Sequence, residues 1–98
     1  MNYILEYPTN LNEINIFNDN IDVCLQLEDG RKYVFVVATP DNLKEMMKKD
    51  QVPYVKPGLP CLFVEELTDK NIRQLIEELL NDDDIFLRIY GSDFFEEI

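Results

Sequence analysis

Histidine and tryptophan are absent from this 98-residue chain, serine occurs once, at Ser92, and glycine three times. The missing histidine removes the commonest general base near neutral pH and the commonest metal ligand. Ser92 sits among acids with no base to activate it, and neither Cys24 nor Cys61 has a neighbouring group in sequence that would lower its pKa. The three glycines are isolated turn residues, so no phosphate-cradling loop is present. Long apolar runs are missing too: the longest, residues 34–38, is far short of a membrane span. The first six residues carry no basic segment and no long apolar stretch, which argues against a secretory signal and for a cytoplasmic protein. In that compartment the two cysteines are expected to be reduced, buried thiols that behave as small hydrophobes.

Basic residues are also scarce. Nine Lys and Arg face twenty Asp and Glu, a formal charge of −11. The excess is uneven: residues 1–64 carry a net −3, whereas residues 65–98 carry eleven acids against three bases, a net −8. Such a balance disfavours direct nucleic-acid binding, which needs cations to displace counterions from phosphates, and it disfavours anionic membrane surfaces. A basic protein is the partner class that remains. Apolar content of 46% with eleven Phe and Tyr indicates one packed domain spanning residues 1–98, with residues 92–98 as an acidic tail.

Residues 21–27 alternate apolar and polar with period two, and Asp29-Gly30 is a favoured two-residue turn before the return strand 31–38. With that loop Leu25 faces Val34 and Val23 faces Val36; a three-residue loop with a bulge would flip these pairings. The return strand is apolar on both faces, through Tyr33, Phe35 and Val37 as well as Val34 and Val36, and so belongs in the middle of a sheet. Thr39-Pro40-Asp41 is a helix start, with Leu43, Met46 and Met47 as a short apolar stripe and Lys48-Lys49 at the C-terminal end. Prolines at 53, 57 and 60 make residues 51–60 irregular, and residues 61–64 read as a short buried strand. Thr68 caps a second helix whose stripe is Ile72, Leu75, Ile76, Leu79 and Leu80, ended by Asn81 and the acid run. Residues 85–90 read as a final strand broken by Gly91, with weaker strand signals at residues 3–7 and 15–17. The expected fold is α+β: a mostly antiparallel sheet of about five strands with two helices packed on it.

Two acidic segments stand out. Asp82, Asp83 and Asp84 follow the negative end of a helix, where the dipole adds to their mutual repulsion. They lack the alternating ligands and glycine bend of a calcium loop, so no metal or other cofactor is expected. Asp93, Phe94, Phe95, Glu96 and Glu97 combine aromatics with acids, a composition suited to a basic, apolar-lined groove. Tyr54, in the proline-stiffened loop, is a further candidate anchor, since a pre-set loop loses little entropy on binding.

The runs Asp19-Asn20-Ile21-Asp22-Val23 and Leu27-Glu28-Asp29-Gly30-Arg31-Lys32-Tyr33, the Thr39-Pro40-Asp41-Asn42-Leu43 helix start, and the stretch from Leu67-Thr68-Asp69-Lys70-Asn71-Ile72 to Leu80-Asn81-Asp82 resemble small acidic immunity proteins of bacterial polymorphic toxin systems, most of all those of contact-dependent growth inhibition. The resemblance covers residues 19–90. It implies a non-enzymatic cytoplasmic antitoxin that binds a cognate toxin domain, often an RNase or DNase with a basic cleft, and covers its active site; the oligomeric state does not follow from it, and a monomer is the favoured expectation. It transfers no interface residue; Asp82, Asp83, Asp84, Asp93, Glu96, Glu97, Phe94, Phe95 and Tyr54 are the expected partner-binding set on charge and composition alone. The competing reading is an acidic adaptor or structural domain whose charge serves solubility.

Overall fold

The computed structural model of the chain describes residues 2–55, 61–82 and 92–93. In chain order these form β1 (Tyr3–Glu6), a 3-10 turn (Leu11–Glu13), β2 (Asn20–Leu27), β3 (Lys32–Ala38), α1 (Pro40–Asp50), β4 (Cys61–Phe63), α2 (Asp69–Asp82) and β5 (Ser92–Asp93). The fold is α+β. Among the described residues the strands of the sheet run in the order β1-β2-β3-β4, and the two-residue β5 pairs with β3 as a fifth. All pairings are antiparallel except β3 with β4, which run parallel with α1 as their crossover. β2 occupies one whole edge of β3, so β4 and β5 share its other edge, β4 against Val36–Ala38 and β5 against Tyr33 and Val34. The doubly apolar strand is thus central, as its composition implies.

The hairpin closes with three loop residues. Gly30 N–H donates to Leu27 C=O at 3.0 Å, Leu27 N–H donates to Arg31 C=O at 2.9 Å, and Gly30 takes φ +95°. Asp29 reinforces the turn, its carboxylate accepting from Arg31 N–H at 3.0 Å. This is a type I turn followed by a glycine bulge. The extra loop residue shifts the register by one from the two-residue expectation: Leu25 lies opposite Tyr33, Val23 opposite Phe35 and Ile21 opposite Val37. Phe35 and Val37 therefore join the buried core with Ile21, Val23, Leu25 and Leu27, while Val34 and Val36 turn to the other face.

The core is completed by Leu5, Leu62, Val64 and Leu67 and by Ile72 and Ile76 of α2, the last three fully buried. Both predicted caps form: Thr39 Oγ1 accepts from Asn42 N–H and Thr68 Oγ1 from Asn71 N–H, each at 3.2 Å. α2 runs to Asp82, within the Asn81 and acid run expected to end it. α1 differs from α2 in having no buried residue; Met46 of its stripe is 40% exposed. It ends in a Schellman-type cap with Gln51 at φ 58°, its N–H donating to Lys48 C=O and that of Val52 to Met47 C=O. The strand expected at residues 15–17 is instead a turn. Asn15 uses its side chain to accept from Phe17 N–H at 3.0 Å and its C=O to accept from Asn18 N–H, local bonds that compete with a ladder. The expected strand at residues 85–90, its break at Gly91, and the loop at residues 56–60 lie outside the described residues.

Candidate protein-binding surfaces

Of the expected partner-binding set, Asp82 closes α2, Asp93 lies in β5 opposite Tyr33, and Tyr54 follows α1 with 52% of its surface exposed. Asp83, Asp84, Phe94, Phe95, Glu96 and Glu97 lie outside the described residues.

The acids of α2 divide by helical position. Asp69, Arg73 and Glu77 form one row, each a helical turn apart, facing β1. Tyr7 Oη donates to Asp69 Oδ1 and Tyr3 Oη to Glu77 Oε1, both at 2.6 Å. Arg73 Nε donates to Asp69 Oδ2 at 2.8 Å, and its guanidinium lies 5.9 Å from the centre of the Tyr3 ring. The match is dimensional: four residues of strand rise about 13 Å and eight of helix about 12 Å, so two phenols on alternate strand positions reach two carboxylates two turns apart. Burial, then the bond to Asp69, pushes the Tyr7 phenol well above its ordinary range; burial and the Glu77 carboxylate also raise Tyr3. The Tyr7 bond, and next to it Arg73, hold Asp69 below the usual carboxylate value. Sequence reasoning missed this clasp, although the alternation Tyr3-Leu5-Tyr7 and the i, i+4, i+8 charge row were both legible.

Glu78 and Glu65 have exposed side chains beside a shallow depression of about 390 Å³ that Val64, Asn71, Gln74 and Leu75 also line. A larger open depression of about 960 Å³ lies along α1, where Lys44 and Lys48 alternate with Asp41 and Glu45 over Met47 and Val52. Charges of both signs line it, so it favours neither an anion nor a cation.

Both cysteines are free and only half-buried, in contrast to the buried thiols expected. Each faces away from the core. Cys24 is opposite Val34 and Cys61 opposite Val36, with β3 between them. Two strand spacings across and two residues along β3 put them about 12 Å apart, too far for a disulfide without backbone movement. Burial raises both thiols, and Glu6 and Asp22 raise Cys24 further. Each is thereby kept protonated, the reverse of what a nucleophile needs. Among the described residues no group of three or more His, Cys, Asp or Glu could hold a metal ion, and no helix is long and apolar enough to cross a membrane.

No family model, curated protein or solved structure matches this chain.

Proposed function

We propose that this chain is an immunity protein: a cytoplasmic, non-enzymatic antitoxin of the contact-dependent growth inhibition kind that binds a cognate basic toxin domain, a nuclease, and occludes its active-site cleft. The observation that carries the reading is the placement of negative charge. Residues 65–98 hold a net −8, and α2, at the centre of that stretch, has no basic residue in its last turn to offset Asp82 and the acids that follow. Glu65 and Glu78, which line one depression, are exposed to solvent. Such a field steers a cationic protein toward encounter and pairs with the side chains that otherwise hold phosphates.

The test is whether the gene beside this chain's encodes a nuclease toxin domain, followed by co-expression and purified binding of the two. Nuclease activity should fall in proportion to bound immunity protein, and the association rate should fall as ionic strength rises. Reversing Asp82, Asp83, Asp84, Asp93, Glu96 and Glu97 to lysine should slow association at low salt. An unchanged rate removes these residues from the site.

A further inference from the structure

The two faces of the sheet are built differently. One carries the core. The other presents Ile4 and Glu6 from β1, Asp22 and Cys24 from β2, Val34 and Val36 from β3, and Cys61 and Phe63 from β4, the partners in each row fixed by the register. Ile4 is 56% and Phe63 45% exposed. The half-buried Cys24 and Val34, then Val36 and Cys61, and then the exposed Phe63 beside the buried Ala38, form a diagonal apolar floor that crosses three strands. Along its β1–β2 side stand two carboxylates whose register partners among the described residues are uncharged, Glu6 opposite Cys24 and Asp22 opposite Val36. Among the described residues the cation on this face is Lys32, at the far end opposite Gln26. Aspartate is disfavoured within a strand. Here it borders the floor rather than breaking the core, because its side chain points away from Val23 and Ile21.

We propose that this open face is where the basic partner seats: Val34, Val36 and Phe63 receive an apolar anchor, and Glu6 and Asp22 pair with cationic side chains at its edge. The proposal rests on the immunity reading and names its surface. An apolar centre with charge confined to the border is the organisation of a protein interface. Charge selects the occupant: a second copy would bring Glu6, Asp22 and a net −11 against their own kind, whereas a basic partner is attracted by them. The acids of residues 82–97 then act on the association rate, and the sheet face acts on the lifetime of the complex.

Cys24 and Cys61 are built-in reporters, because both thiols stand on this face. Alkylation of the wild-type chain by iodoacetamide, read by mass spectrometry, is compared with and without the purified toxin domain encoded beside it. Both thiols should react about tenfold or more slowly in the complex, as expected when an interface excludes solvent from its centre. Val34→Thr, Val36→Thr and Phe63→Ala together, which keep the β-branched strand residues, should weaken binding about a hundredfold through faster dissociation. If the complex forms and both thiols react at their free rates, the face proposal is overturned while the immunity reading stands. If no complex forms, the immunity reading falls and takes the face with it. Thiol protection that grows with the concentration of the chain alone, together with a dimer by sedimentation, assigns the face to a second copy and overturns the proposal.

Discussion

Among the described residues two take positive φ, for opposite reasons. Gly30 at +95° closes the hairpin with open space where a Cβ would stand, so its cost of replacement is conformational alone. Gln51 at 58° caps α1 in a conformation that an L side chain resists. Gly30→Ala should lower stability by about 1 kcal/mol and Gln51→Gly should raise it by about 0.5–1 kcal/mol, both measured by urea denaturation. The Tyr7–Asp69 bond makes a second prediction at this scale. The raised Tyr7 value means the folded chain holds that proton more tightly than the unfolded one. Its contribution is therefore complete below the ordinary phenol value of about 10 and is lost as pH rises above it. Tyr7→Phe should cost about 1 kcal/mol near neutral pH, and its thermal midpoint should fall less than the wild type's on moving into the alkaline range. Asp69 works in the other direction: its lowered value supplies stability above the ordinary carboxylate range that is lost as pH falls.

At the scale of elements the two helices carry unequal weight. α2 places Ile72 and Ile76 at zero exposure in the same core cluster as Val23, Leu25 and Phe35, whereas α1 has no buried residue and serves as the crossover that lets β4 run parallel to β3. Ile72→Ala or Ile76→Ala should cost about 2–5 kcal/mol; Met46→Ala should stay within about 0.5 kcal/mol, all by chemical denaturation. Both helices were legible because their caps, Thr39 and Thr68, act through bonds to residues three positions away. That α1 stays at the surface was not legible. Leu43, Met46 and Met47 form a sound apolar stripe, and only packing says whether such a stripe has anything to lie against. The turn at Asn15 fell between these cases, since its side-chain bond is local but the apolar residues Ile14, Ile16 and Phe17 imitate a strand.

For the molecule as a whole, charge is the dominant property. A net −11 on one small domain repels itself, so adding salt from low to physiological ionic strength should raise the thermal midpoint of the free chain while it slows association with a basic partner. Opposite responses of stability and association rate to the same salt series separate self-repulsion from steering. The candidate surface was only partly readable at this scale. Acid density could be counted along residues 65–98, but Asp69 and Glu77 proved to be engaged by Tyr7 and Tyr3, so two of those acids hold the fold together. The apolar diagonal of the open face was invisible, because its residues come from β2, β3 and β4 and meet only through register.

Short-range chemistry lay within reach of the sequence alone: the α+β class, both helix starts, the central place of the doubly apolar strand, and the excess of acid. Each depends on neighbours within a few residues or on simple counting. Tertiary structure decided the hairpin register, the fate of α1, and which side of the sheet Val34 and Val36 occupy. One extra residue in a loop closed by Gly30 exchanges the faces of a whole strand, because side chains alternate with period two. That single step moved Tyr33, Phe35 and Val37 to the core side and left Val34 and Val36 on the open one.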